Sequence, residues 1–183
     1  QSASLKCKLG TVVVDAVFVS SNVLNCTTPP LPAGAVALEV SNNAVDFSRS
    51  EVPFSYILPV SILSIEPSAG PQHGGTVVSV LGTNLMPGST CRFGDKPGPA
   101  ATFASSTLVL CLSPSQSHGF HTVEVTNNMQ DFTQNRLQYM YHETLVVSAV
   151  TPVMGVLSGG TPTTVMGNGF AQRTGLACKF GAT

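Results

Sequence analysis

Apolar and polar positions alternate over short runs along this chain, and no eleven-residue window carries the three-to-four spacing of an amphipathic helix. Residues 60–65 alternate until Pro67-Ser68-Ala69-Gly70-Pro71 breaks them, and Gly74-Gly75 leads into a second run at 76–81. Gly82-Thr83-Asn84 and Pro87-Gly88-Ser89 punctuate before Cys91-Arg92-Phe93-Gly94, and a β-branched and leucine-rich run at 107–112 ends at Ser113-Pro114. In residues 120–126 the pattern places Val123 and Val125 on one face and Glu124 and Thr126 on the other. Asn127-Asn128 then supplies residues tolerant of a left-handed backbone before a closing run at 137–141. The pattern predicts six or seven short strands with turn signals every eight to twelve residues, the signature of an all-β sandwich.

The pattern also repeats. Pro67 recurs as Pro152, Gly74-Gly75 as Gly159-Gly160, Cys26 as Cys111, Asn42-Asn43 as Asn127-Asn128, Asp46-Phe47 as Asp131-Phe132 and Tyr56 as Tyr141, each at an offset of 85. That is too long for a solenoid unit and fits a small domain copied in tandem. Residues 1–58 read as the back of one unit, 59–143 as a whole unit and 144–183 as the front of another. The junctions at Tyr56 and Tyr141 run almost directly into the next unit, which favours a stiff array over loose beads.

Five cysteines fall into this frame. Cys7 and Cys26 lie 19 apart, Cys91 and Cys111 lie 20 apart, and Cys178 takes the place of Cys91 in the third unit with no partner in the segment that follows. Pairs at one place per unit point to intradomain disulfides and an oxidising compartment; the rival reading is buried free thiols. Zinc fits poorly, because no CxxC or HxxxH accompanies two sulfurs per unit.

Charge narrows the function classes. Only 9% of residues are charged, against about 25% in an ordinary domain, while 43% are hydrophobic and the net charge is −1. Eight basic residues form no stripe for phosphate recognition, which argues against nucleic acid. No run approaches the ~18 apolar residues of a membrane-spanning helix. So little charge leaves the surface to be hydrated by Ser, Thr and Asn, covered by glycans, or buried against like chains.

The residues that recur are similar to a known module. The series running from Val60-Ser61-Ile62-Leu63-Ser64-Ile65-Glu66-Pro67 through Gly74-Gly75-Thr76, Gly82-Thr83-Asn84-Leu85, Cys91-Arg92-Phe93-Gly94 and Leu112-Ser113-Pro114 to Val123-Glu124-Val125-Thr126-Asn127-Asn128 resembles the IPT/TIG domain. The first unit keeps Cys26-Thr27-Thr28-Pro29-Pro30 and Val40-Ser41-Asn42-Asn43, and the third keeps Gly159-Gly160-Thr161 and Cys178-Lys179-Phe180-Gly181. The third departs by two extra residues between Phe170 and Cys178, which predicts a longer loop. The resemblance implies tandem immunoglobulin-like β-sandwiches of the kind found in plexins, growth-factor-type receptors and fibrocystin-like surface proteins.

Candidate chemistry is sparse. Four histidines, His73, His118, His121 and His142, occupy places that do not recur, so none belongs to the shared design. His118 and His121 stand three apart, on opposite faces of a strand, which spoils a shared metal site. No G-x-S-x-G serine is present. Glu39/Glu124 and Asp46/Asp131 do recur, but one Glu and one Asp are too few oxygens for calcium, and a turn-stabilising Asp is the better reading. Asn25-Cys26-Thr27 is the single N-x-Ser/Thr acceptor sequence and a candidate glycosylation site. The expectation is a non-enzymatic, cofactor-free extracellular or cell-surface module: a stiff spacer or building block of an assembly, contacting neighbouring domains or like chains. The alternative is a ligand-presenting segment of a plexin-like or fibrocystin-like receptor. A polysaccharide-binding role is a third reading, weakened by the absence of Trp and only three Tyr.

Overall fold

The computed structural model describes residues 5–170 and 176–181, and these form sixteen strands and no helix. The chain divides after Pro59 into two compact units. The first holds β1 (Lys6–Leu9), β2 (Val12–Ser20), β3 (Val23–Cys26), β4 (Gly34–Ser41) and β5 (Val52–Tyr56) in one antiparallel sheet, ordered β3-β2-β1-β4-β5. Gly10, at φ +59, turns β1 into β2.

In the second unit nine strands precede residue 143: β6 (Ser61–Glu66), β7 (Ala69–Pro71), β8 (Val77–Thr83), β9 (Thr90–Phe93), β10 (Lys96–Ala100), β11 (Thr102–Ser105), β12 (Leu108–Leu112), β13 (Gly119–Thr126) and β14 (Leu137–His142). They make two sheets, β10-β9-β13-β14-β7 and β11-β12-β8-β6. The alternation seen in the sequence sets which side chains face inward: Val78, Val80, Val109 and Cys111 from one sheet meet Cys91, Phe93, Val123, Val125, Tyr139 and Tyr141 from the other, all fully buried. The chain is an all-β protein of the immunoglobulin-like class.

Nine strands exceed the six or seven expected, and two of them, β7 and β10, lie where Pro and Gly read as breakers. β7 falls inside the Pro-Ser-Ala-Gly-Pro run, yet it adds to the sheet in parallel, Met140 opposite Ala69 and Tyr141 opposite Gly70. Its place at the sheet edge makes Pro71 tolerable, and Gly70 leaves room for the Tyr139 phenol, with which any Cβ would collide. β10 and β11 are edge strands separated by one residue, and there the chain crosses from one sheet to the other, with a register shift on each side of the crossing. In the first unit the corresponding stretch is the unbroken β2, whose early residues pair with β1 and late residues with β3. Lys8 to Arg92 is an offset of 84 and Cys26 to Cys111 one of 85, so the second unit holds one extra residue within this crossing. That residue is why the cysteine separations are 19 and 20.

Two further strands follow, β15 (Val146–Thr151) and β16 (Thr164–Asn168), paired antiparallel. They repeat β6 and β8 residue for residue: Ser61 opposite Thr83 becomes Val146 opposite Asn168, and Ile65 opposite Val80 becomes Val150 opposite Val165, with the irregularity after Ile62 repeated after Val147. Gly82 and Gly167 share the reason for being glycine, since a Cβ would strike the carbonyl oxygen of Ser61 or of Val146. The longer loop expected before Cys178 covers residues 171–175, outside the described residues.

Candidate functional site

The residues placed by the repeat converge on two features in each of the first two units. The first is a disulfide. Cys7 on β1 is bonded to Cys26 on β3, with Cα atoms 6.3 Å apart, and Cys91 on β9 to Cys111 on β12, at 6.1 Å. In the second unit the bond joins the two facing sheets through the core, where both cysteines are fully buried. Cys178 is a free, exposed thiol.

The second feature is a clasp formed by the segment that follows β4 or β13. Asn43 accepts hydrogen bonds at Oδ1 from the amides of Val45 (3.0 Å) and Asp46 (2.8 Å) and donates from Nδ2 to the Asp46 carboxylate at 2.8 Å. Asn128 does the same with Gln130 (3.0 Å), Asp131 N (2.8 Å) and the Asp131 carboxylate (2.7 Å). The recurring Asp thus works as the partner of an Asn hub that winds the turn through a left-handed residue, Ala44 at φ 64° or Met129 at φ 62°. Two residues past each Asp a hydroxyl locks the strand end: Ser48 Oγ accepts from Val40 N at 3.1 Å, and Thr133 Oγ1 from Val125 N at 3.0 Å. Thr126, placed by alternation on an outward face, is fully buried instead, its hydroxyl donating to Asn128 Oδ1 at 3.0 Å.

Between hub and hydroxyl sits a phenylalanine that covers a cation. Lys8 Nζ lies 5.1 Å from the centre of the Phe47 ring, and the Arg92 guanidinium 3.9 Å from that of Phe132. Strand register sets the acid beside each cation, Lys8 opposite Glu39 and Arg92 opposite Glu124. Arg92 donates to the Glu124 carboxylate. Glu39 instead accepts from the Ser48 hydroxyl and from the amides of Glu51 (2.7 Å) and Ser50 (3.2 Å). The Ser48 hydrogen bond, then the two amides and the Lys8 charge, hold the Glu39 carboxyl below its ordinary range against the opposing effect of burial. A depressed native pKa stabilises the fold above the unfolded carboxylate value of about 4.3 and loses that stability as pH falls through the lower native value. Acidification is therefore expected to release the Ser50 and Glu51 amides, seen as a loss of their protection relative to the intrinsic exchange rate at each pH; Glu39→Gln should remove the pH dependence of that protection, and protection unchanged with pH in the native chain would refute the role of Glu39 in the clasp.

Sequence reasoning missed Lys8, Arg92 and the role of Phe47 and Phe132. The cations do recur, but at an offset of 84, so counting at 85 sets Lys8 against Phe93.

The histidines stand apart from these features. His118 is exposed and precedes β13; His121 Nε2 lies 3.1 Å from the Ser117 carbonyl oxygen, and its ring meets Tyr141 edge-on; His142 Nδ1 lies 3.0 Å from the Glu143 carbonyl oxygen; His73 is in the turn after β7. Among the described residues no group of three or more His, Cys, Asp or Glu could hold a metal ion, and no helix is long and apolar enough to cross a membrane. Asn25 is exposed on β3, opposite Val17. Burial, then the neighbouring Tyr139 phenol, push the Tyr141 hydroxyl above its ordinary range.

Comparison with known proteins matches the IPT/TIG domain over residues 1–56, 59–141 and 145–183. Plexin-2 of Caenorhabditis briggsae is 30% identical over 155 residues, covering 82% of this chain and 9% of that protein. Human Plexin-A2 is 29% identical over 74% of the chain and 7% of its own length. Human Fibrocystin-L is 26% identical over 90% of the chain and 4% of its own length. A solved structure of the full extracellular region of plexin A4 aligns with 88% of the chain and 15% of its own, at a TM-score of 0.49 and 23% identity. The chain therefore spans less than a tenth of the curated relatives it matches.

Proposed function

Because the chain belongs to the IPT/TIG domain family along all three of its units, we propose that it is a non-catalytic spacer within a receptor ectodomain of plexin or fibrocystin-L kind, holding a ligand-binding region at a set distance from its membrane. Residues 1–58, 59–143 and 144–183 are three successive domains in this reading. It works outside the cell or at its surface, as the plexin relatives and the two disulfides indicate. The observation that carries the proposal is the work assigned to the recurring residues. Cysteines, Asn hubs, acids and capped cations brace strands and turns in both units, which is the design of a module built to keep its shape.

Only four residues separate β5 from β6 and three separate β14 from β15, so a spacer made this way has short, stiff junctions and makes its protein–protein contacts with adjoining domains. The test exchanges residues 60–143 in the complete ectodomain for an unrelated immunoglobulin-like sandwich of equal length. A spacer tolerates the exchange with ligand response intact, whereas loss of ligand binding would make this unit the binding module itself.

Asn25 is proposed to carry an N-linked glycan. Its side chain is exposed beside Val17 and Val23, which are themselves 65% and 50% exposed, and sugar there would cover an apolar stretch poor in charge. Chain secreted from a eukaryotic host is expected to lose the mass of one glycan on amidase treatment and to show no shift as Asn25→Gln; an unshifted native chain would rule the site out.

A further inference from the structure

One outer face of the middle unit is composed as a core face is. In β12 the run Leu108-Val109-Leu110-Cys111-Leu112 is apolar at every position, the pattern of a strand covered on both sides. Val109 and Cys111 point into the sandwich and are fully buried, so Leu108, Leu110 and Leu112 point out. On the neighbouring β8, register sets Leu81 beside Leu108, Ser79 beside Leu110 and Val77 beside Leu112. Val77, Leu81 and Leu112 are 56%, 46% and 42% exposed. The sheet β11-β12-β8-β6 carries this face, and Glu66, at the end of edge strand β6, is the only Asp, Glu, Lys or Arg in its four strands. The outer face of the opposite sheet differs, since it holds the Arg92 and Glu124 pair under Phe132.

The first unit treats the same place differently. At the offset of 85, Asn25-Cys26-Thr27 stands where the middle unit has Leu110-Cys111-Leu112. The candidate glycan acceptor of one unit is thus a leucine at the middle of the apolar face of the next. A glycan on Asn25 would keep a protein surface off the first unit, while the middle unit leaves that place aliphatic.

Composition and extent say what fits the face. A charged partner would find nothing to pair with and would lose hydration on contact. Leucine and valine give a sugar no ring to stack on. What matches is a second flat, aliphatic, uncharged sheet face, and every copy of the protein carries one. Four strands about 4.8 Å apart and the seven residues of β8 rising about 3.3 Å each give a face of roughly 19 by 23 Å, or about 400 Å². Two copies face to face cover on the order of 800 Å² in all, below the about 1,200 Å² of stable complexes, so the area supports a weak and reversible pair.

We propose that the outer face of the β11-β12-β8-β6 sheet is a homotypic interface, on which two copies of the protein pack face to face about a two-fold axis, Leu110 of each meeting the Leu110 and Ser79 row of the other. The two sheets lie about 10 Å apart, as facing sheets do within a sandwich. The contact is isologous and closes at two copies. In the receptor setting proposed above it joins two spacers side by side, where tethering to one membrane supplies the effective concentration that so small a face needs.

The test uses the complete extracellular region, so that every unit is whole, and follows its mass by sedimentation equilibrium up to the highest soluble concentration. The mass is expected to rise from one copy towards two and no further, and Leu110→Lys should hold it at one. Leu110→Asn combined with Leu112→Thr, which writes the first unit's acceptor sequence onto this face, should do the same once glycosylated. Mixing Leu110→Lys with Leu110→Glu is expected to restore the pair, which unfolded variants could not do. A mass of one at every concentration overturns the proposal, as does association that survives Leu110→Lys or a mixture that stays single. Ligand response is no part of this readout, so the spacer role and the self-association stand or fall separately.

Discussion

Replacing Cys91 and Cys111 together by alanine is expected to destabilise the middle unit by about 3 kcal/mol, the chain-entropy value for a crosslink closing a loop of this length. For a domain of this size that is a fall in Tm on the order of 10–25 °C. The bond joins facing sheets in a core where both cysteines are fully buried, so the unfolded chain gains freedom while the native packing loses two sulfurs. Comparing the double variant with reduced native chain separates these contributions: the reduced protein keeps the sulfur volume and should still lose most of the stability. Thiol titration under denaturing conditions is the companion check. Five cysteines less two bonded pairs leave one reactive thiol, that of Cys178. More than one thiol, or a Tm within about two degrees of native in the double variant, would remove the disulfide from the account.

The second large effect is expected at Gly70. A methyl group there would run into the Tyr139 hydroxyl and the Thr76 hydroxyl, and overpacking of this kind costs about 1–3 kcal/mol. Gly70→Ala should therefore unfold earlier in urea, with the m-value unchanged if the native sheet is preserved. Tyr139→Phe should cost little by itself, because the phenol oxygen is buried with no hydrogen-bond partner and the first unit already has Phe54 at that place. Combined, the two changes are expected to recover part of the loss, leaving the share due to Thr76. A double variant no more stable than Gly70→Ala would mean that the collision lies elsewhere.

The sequence already displays the strands whose side chains alternate, and the disulfides, because each rests on a pattern confined to a few residues or on recurrence at a fixed offset. Val123 and Val125 face the core as their spacing implies. The edge strands β7 and β10 were hidden because their signal is in the backbone: Gly70, Pro71, Pro97 and Pro99 read as breakers, and only the presence of a neighbouring strand makes them extended. Thr126 was hidden for another reason, since its outward face is roofed by its own following turn. The clasp needed register, which sets Arg92 beside Glu124 from 32 residues away, and no local pattern contains that.

The crossing between sheets has a consequence for how such modules diverge in length. The first unit runs through this stretch on one nine-residue strand, and the second does so on two short strands with a residue added, yet both keep a cation, Lys8 or Arg92, beside a glutamate, and a cysteine pair at the same place. The crossing works as a slip joint: an inserted residue is taken up as a kink between two edges and is not passed on to the ladders on either side. Engineers grafting a tag or a reporter loop into this fold would find their tolerance around Gly98 to Ala101, whereas one residue added inside β8 or β13 would turn every following side chain to the wrong face.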